Sequence, residues 1–486
     1  MDFLDPKKKR QQRIKLFTGY LLMAVVLAIS TLVLAFATYG YGIDSKTGGI
    51  IQNGLINVDS HPVSADVYIN GQNRGRTSTR LVLPAGNYIV QIQQNGYRSW
   101  QHNVNLEGSS IEQLVYPVLF PAKLVTKPVA TLASAPLLAS ASPDRHWLVM
   151  QAPGGLGGFD VYDLTDSKHP HASISLPADS LTAGGTNHQL ELVEWSSDNS
   201  HFLLKHTWSA GIEYVMADRS VPTASINVNK FFAATSFNSA SLRDKKPDQF
   251  YLLNTTTGSL TVADSKNNTQ TPIISGVAQF KPYQANQVLY VKSTSGDSEV
   301  HLWQSGQDYM IRTLPKADHY LLDLAQFNNQ LYVVAGSPAD NKTYIYQNPF
   351  KDLTHTPSLT PRPFRVLIAQ GAEFVSFSTN ARFIAAQGGS QFAVYDAETN
   401  RQFRFDSKLE LTPHAKASWM DGNRMALISK GLVVIQDFDG TNQQTLSAAL
   451  DSFTPFFDHD YTAMLTLAPV NGSSVVTLDR TELKVP

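Results

Sequence analysis

Cysteine is absent from all 486 residues. That excludes a disulfide framework, thiolate metal or iron–sulfur sites and a cysteine nucleophile. Charge is sparse, at 16% of residues, and 39 basic side chains offset 40 acidic ones for a net charge of −1. Without a basic excess there is no electrostatic footprint for nucleic acid, so no nucleic-acid partner is expected. A hydrophobic content of 42% with 10% aromatics excludes wholesale disorder. Catalytic motifs are missing too: there is no GxxxxGK[ST] phosphate loop, HExxH, GxSxG elbow or GxGxxG. The stretch from Gly155 to Asp160 lacks the final glycine of a dinucleotide fingerprint, and it follows the turn-forming Pro153-Gly154. His169-Pro170-His171 reads as a solvated loop, and Asp437-Phe438-Asp439-Gly440 lacks the other ligands of a calcium loop. No catalytic, cofactor-binding or metal-ligating residue is assigned, and no enzymatic activity is expected.

What the chain does have begins with one long apolar run. Residues 1–15 carry Lys7, Lys8, Lys9, Arg10, Arg13 and Lys15 against Asp2 and Asp5, a net +4, so the remainder from Asp44 sums to −5. Between them lie 28 uncharged positions, 16–43, densest from Leu21 to Ala37. About 20 apolar residues at roughly 1.5 Å rise span the hydrocarbon core, so this run predicts a transmembrane helix over 16–43. Tyr20, Tyr39 and Tyr41 suit the interfacial belts. The basic cluster resembles a nuclear-import patch, but next to an apolar run it acts as a topology determinant. It sets residues 1–15 as a cytoplasmic stub and everything after Asp44 outside. Ala35-Phe36-Ala37 has the form of a signal-peptidase site, yet the run exceeds the 7 to 15 residues of a signal core, which favours an uncleaved anchor.

From about 52 to 120 short alternating runs take over: Leu55–Val58, Ala65–Ile69, Leu81–Leu83, Tyr88–Ile92 and Ile111–Tyr116. Asn70-Gly71, Asn95-Gly96 and Pro84-Ala85-Gly86 punctuate them with turns. A small β-sandwich is expected. The motif residues Pro62, Ala65, Tyr68, Gly71, then Gly75, then Pro84, Gly86, Tyr88, and finally Gly96 and Tyr97 make this region resemble the PEGA domain. Ser64 departs from the family's usual glycine and Ser78 from its usual proline. The motif residues are read as structural turn-formers and strand-packers. The resemblance implies a bacterial envelope module that binds proteins or cell-wall polymers.

Prolines 121, 128 and 136 mark a junction, and from about 124 to 486 a repeat recurs. An aromatic or small residue, a polar turn and an apolar strand lead to a second strand ending in a carboxylate. The clearest copies start at Ala141, Trp195, Phe377 and Trp419, and weaker ones at Phe237, Phe280, Phe327 and Phe457, with a spacing of about 44 residues. That spacing predicts four-stranded propeller blades, seven or eight of them, and the unit openings resemble TolB-like and WD40-like propellers. Asp144, Asp198, Asn380 and Asp421 are expected to shape turns. The fold class is therefore mainly β: an N-terminal transmembrane helix, a PEGA-like sandwich and a C-terminal β-propeller.

The functional expectation is a non-enzymatic, membrane-anchored envelope protein, spanning once, that binds a protein or cell-wall polysaccharide partner. Trp208, Trp303 and Tyr309 are candidate contacts if exposed. The alternatives are a propeller hydrolase acting on glycans from two facing carboxylates in the channel, or a subunit of an export or assembly complex. The sequons at Asn254, Asn267, Asn341 and Asn471 are discounted for a bacterial protein.

Overall fold

The computed structural model describes residues 6–38, 40–43, 49–152, 155–166, 170–355, 360–470 and 472–485. Tyr39, Pro153-Gly154, His169 and Asn471 lie outside the described residues, and Lys7 and Lys8 are described by backbone alone. The chain forms two compact units, residues 1–123 and 124–486.

Helix α1 runs from Pro6 to Thr38, with proline in the first turn, where its missing N–H costs nothing. Its stretch Lys9–Phe36 is long and apolar enough to cross a membrane, and none of it is covered by protein. Leu22 is 65% and Leu34 67% exposed, an apolar surface of the kind that marks a membrane or partner contact. The helix also satisfies its own polar groups: the hydroxyls of Thr18, Thr31 and Thr38 donate to the carbonyls of Ile14, Leu27 and Leu34 at 2.8, 2.8 and 2.9 Å. The helix begins before Leu16, so the basic cluster is part of it. It ends before the uncharged run does, because Tyr41–Ile43 already forms strand β1. Phe36 on the helix packs against Tyr41, ring centroids 5.1 Å apart.

Seven further strands complete the first unit: β2 (Ile50–Val58), β3 (Asp66–Ile69), β4 (Gln72–Arg76), β5 (Thr79–Pro84), β6 (Gly86–Gln93), β7 (Trp100–Leu106) and β8 (Ile111–Leu114). One sheet pairs β2 with β1 and β5, and with β8 in parallel; the other has the order β4-β3-β6-β7. Their alternating inward residues, among them Ile56, Val58, Val67, Ile69, Val90, Ile92 and Trp100, form one core between the sheets.

The second unit contains eight four-stranded antiparallel sheets among the described residues. In chain order these blades cover residues 139–175, 189–227, 239–274, 277–314, 321–368, 374–406, 418–448 and 456–482. The middle strands are buried on both faces and read as near-continuous apolar runs: Phe202–Leu204, Phe250–Leu253, Val288–Val291 and Phe383–Ala386. Apolar clusters join blades 1–2, 2–3, 3–4, 4–5, 5–6 and 8–1, as where Phe159 of blade 1 meets Phe202 of blade 2 at 5.9 Å. The first strands of successive blades approach one another, Val277–Tyr283 with Leu321–Phe327 and Leu321–Phe327 with Phe374–Phe377, which sets them around the axis. The last blade takes its fourth strand from β9 (Val125–Leu132), paired with Val476–Glu482, so the ring is closed by the two ends of the unit. This is a β-propeller.

The turn carboxylates act as expected. Asp144 accepts from the His146 N–H, Asp198 from Ser200 and His201, Asn380 from Arg382, and Asp421 from Asn423 and Arg424. Two weak copies of the repeat are out of register. Phe327 and Phe457 end first strands, as Trp195, Phe377 and Trp419 do, but Phe237 lies before Ser239–Leu242 and Phe280 lies inside Val277–Tyr283. Both aromatics fill interblade cores all the same, so the aromatic character persisted while the register shifted.

Candidate functional site

The propeller axis gathers a charged row from four consecutive blades. Lys281, on the first strand of blade 4, pairs with Asp323 on that of blade 5, Nζ to Oδ1 3.2 Å. Phe374 opens the first strand of blade 6, and the Lys416 ammonium stands 5.9 Å from its ring centroid. Lys416 precedes the first strand of blade 7, yet it senses Lys281 and Asp323. Lys416 is exposed to water, with the Phe374 ring on one side. Desolvation first, and then Lys281, hold its pKa below the ordinary lysine range, with Asp323 opposing them.

The loop carrying Lys416 is fixed from below. Gln387 is 4% exposed, and its amide grips the backbone on either side of Lys416: Nε2 donates to the Ala415 carbonyl at 2.8 Å and Oε1 accepts from the Ala417 N–H at 2.8 Å. His414 Nδ1 lies 2.9 Å from Glu373 Oε2. Gln279 repeats the grip at blade 5, bonding both the N–H and the carbonyl of Tyr320 at 2.8 and 2.7 Å. Beside the fixed loop, between blades 7 and 8, opens a cavity of about 490 Å³ walled by residues 412–416, 426–428 and 451–455. A rigid cationic loop against a cavity of ligand size can receive a polar ligand.

A second polar cluster lies inside blade 2. Glu213, 4% exposed, accepts from the Thr182 N–H and hydroxyl, from Asn227 and from the fully buried His206. His206 continues to the half-buried His188 at 2.9 Å. Every donor here has an acceptor, and the arrangement pins the loop that leads into the blade.

The PEGA motif residues are brought together in one sandwich. Ala65 is fully buried, and Tyr68 and Tyr88 are half-buried on facing strands. The Tyr88 hydroxyl donates to the Pro84 carbonyl at 2.7 Å. Gly71, Gly75 and Gly96 have φ of 78°, 115° and 82°, which glycine adopts freely. Gly86 does not have positive φ, and a Cβ there would meet the Tyr88 ring at an ordinary 3.9 Å, so this structure leaves room for a side chain at that position. Pro62 follows a cis peptide bond, and Tyr97 bridges to Pro121. Both departures from the family pattern fall at special backbone geometry: Ser64 has φ of 64°, and the Thr77–Ser78 bond is cis. A left-handed non-glycine residue costs about 1–2 kcal/mol, and glycine returns part of the gain as chain entropy. Ser64→Gly is therefore expected to stabilise the sandwich by up to about 1 kcal/mol, read as slower hydrogen exchange in β3 and β6; faster exchange would contradict it.

The topology residues Lys9, Arg10, Arg13 and Lys15 are exposed on α1. The candidate aromatics are less free. Trp208 stacks on His206 at 5.0 Å, Tyr309 packs against Phe350 at 6.1 Å, and Trp303 joins the core between blades 3 and 4. Sequence reasoning missed Lys281, Asp323, Lys416 and Gln387. They sit in no linear motif, and only the ring assembles them.

Comparison with known proteins identifies part of the first unit. Residues 53–115 match the PEGA domain. Among solved structures the chain is similar to the β-propeller domain of Myceliophteria thermophila Cps50 (Swd1), at 10% identity and TM-score 0.38, covering 73% of this chain and 99% of that one. It is similar to the Dos1 propeller at 12% identity and TM-score 0.44, covering 74% and 96%. It is also similar to Porphyromonas gingivalis dipeptidyl peptidase 4 at 11% identity and TM-score 0.47, covering 71% of this chain and 58% of that one. No curated protein matches the sequence. The chain thus combines an apolar N-terminal helix, a PEGA domain and a β-propeller.

Proposed function

We propose that this is a non-enzymatic, single-pass, membrane-anchored envelope protein whose PEGA and propeller modules hold a protein or cell-wall polysaccharide partner outside the cytoplasm. The observation that carries the reading is the uncovered apolar helix passing directly into the PEGA sheet, with only positions 39 and 40 between α1 and β1. A module so tethered presents its binding surfaces at high local concentration along the membrane. The basic residues on the first turns of α1 favour a cytoplasmic N-terminus. In favour of binding over catalysis, two carboxylates on first strands of the blades are engaged by cations, Asp323 by Lys281 and Glu194 by Lys245. A hydrolytic pair would need one carboxyl group free to act as an acid.

The absence of cysteine makes the topology directly testable. With Gln11→Cys and Ser473→Cys variants in intact cells, a membrane-impermeant maleimide should label only the second; both positions are exposed. Labelling of Gln11→Cys, or of neither until lysis, would overturn the proposed orientation, and a mature N-terminus near Thr38 by mass spectrometry would overturn the anchor. Detergent-solubilised full-length protein is expected to retain a defined envelope protein or glycan strand on an affinity column. Retention of neither contradicts the binding role.

A further inference from the structure

The channel row and its cavity point to a more specific ligand. We propose that the loop 412–417 and the adjoining cavity receive an anionic group, a carboxylate or phosphate on a small hydroxylated or amino-bearing molecule, with Lys416 as its principal contact.

Three observations carry this. The first is an unmatched charge: among the described residues Lys416 has no carboxylate at ion-pair distance, and the nearest acid it senses, Asp323, is already paired with Lys281 at 3.2 Å. Two ammonium groups and one carboxylate on these blades leave a net positive charge that an anion would complete. The second is rigidity. A lysine on a mobile loop would simply stay hydrated, but here Gln387 holds the carbonyl before Lys416 and the N–H after it, and the His414–Glu373 pair holds the loop two residues earlier. Pre-organisation of this kind lowers the entropic cost of binding. The third is the cavity: about 490 Å³, within the range that accepts small molecules, with Thr412, Ser452, Thr454 and Asp451 supplying polar groups and Phe453 an apolar wall. Asp451, which lines the same cavity, sets the second half of the specificity by favouring a hydroxyl or amine on the same ligand.

The inference rests on the propeller being a binding module, and the two fail separately. Retention of an envelope partner with no anion binding removes only this proposal. Anion binding without a retained partner removes the broader one. The test is calorimetry and thermal melting of the full chain in detergent, titrated with inorganic phosphate and with N-acetylglycine at constant ionic strength against a chloride control. Saturable binding is expected for at least one anion, and which one distinguishes a phosphate source from a carboxylate source. Lys416→Met should weaken it by about tenfold or more, consistent with loss of a charge-assisted hydrogen bond. Lys416→Arg should retain most of it, and Lys430→Met, which removes a surface partner of Glu410, should leave it unchanged. Melting of ligand-free Lys416→Met supplies a readout that a structural role would move the other way: removing an unpaired charge should leave the melting temperature equal or higher. Absence of saturable binding for both anions, or equal binding by Lys416→Met, overturns the proposal.

Discussion

Glu213→Ala is expected to destabilise the propeller by about 3–5 kcal/mol, the range for removing one partner of a buried charged network. The carboxylate is 4% exposed and accepts from Thr182 N–H at 2.6 Å, Thr182 Oγ1 at 3.0 Å, Asn227 Nδ2 at 2.8 Å and His206 Nδ1 at 2.8 Å. Alanine strands all four donors away from water. His206 suffers most, because it is fully buried, hydrogen-bonded edge to edge with His188 at 2.9 Å and covered by the Trp208 ring at 5.0 Å. Asn227, which also donates to the Ser180 carbonyl at 3.0 Å, loses the acceptor that fixes its rotamer, and the loop 176–188 is released. The acid dependence follows from the same bonds. Burial alone would raise the Glu213 pKa above its ordinary 4.5, but the hydrogen bonds from Thr182, His206 and Asn227 outweigh it and hold the value below. Its stabilisation is therefore complete above about pH 4.5 and disappears as pH falls through the depressed value. Glu213→Gln keeps the shape, so it should cost less at neutral pH and flatten the acid limb of the melting curve between pH 5 and pH 3 relative to the wild type. Melting of Glu213→Ala at the wild-type temperature, or an unchanged acid limb in Glu213→Gln, would show that the network contributes nothing.

This cluster also shows where sequence reading stops. His206 and Glu213 are direct cross-strand partners in the hairpin that turns at Trp208–Gly211. Given that register, the pairing could have been read from the chain. No turn signal as clear as Asn-Gly marks it, and histidine and glutamate seven residues apart carry no motif. The elements that were legible share one property: local chemistry dictated them. The repeat announced itself because doubly buried strands must be apolar and tight turns need an Asp or Asn to cap their N–H groups, as at Asp198 and Asp421. The PEGA strands β2, β3 and β6 alternate because one face meets the core. By contrast β4, Gln-Asn-Arg-Gly-Arg, is exposed at every position, so nothing in its side chains marks it as a strand. Its pairing is set by the Asn70-Gly71 turn and by β3. The channel row is the extreme case. Lys281, Asp323, Phe374 and Lys416 come from four successive repeats, each ordinary in its own, and only ring closure places them around one axis.

Ring closure is itself the second large effect. Replacing residues 124–132 with a Gly/Ser segment of equal length is expected to lower the melting temperature of the propeller by about 10 °C or more and to promote aggregation. Strand β9 pairs along the whole of Val476–Glu482, and Thr126 and Thr481 share a side-chain hydrogen bond at 2.9 Å. Without β9 the strand Val476–Glu482 becomes an exposed edge, a template for pairing with another chain. The apolar cost is larger still. Leu132 sits in the cluster that fuses blade 8 to blade 1, with Leu465, Leu467 and Leu478 against Leu148, Met150 and Tyr162. What remains between these blades is the rest of that cluster, opened to water where β9 lay, and a polar clasp: Arg145 over the Tyr461 ring at 4.0 Å, its guanidinium donating to the His459 carbonyl, and His459 against the Asp144 carbonyl. Cation–π and exposed hydrogen bonds of this kind contribute about 1 kcal/mol each, too little to offset the apolar surface that loss of β9 exposes. A milder variant separates closure from wholesale misfolding. Leu132→Ala keeps β9 in place and should cost about 2–5 kcal/mol, with the increase in hydrogen exchange confined first to residues 456–482 and 139–163. If the Gly/Ser replacement melts like the wild type, the propeller does not depend on its closing strand. If Leu132→Ala loosens all eight blades equally, the ring unfolds as a single cooperative unit rather than from this seam.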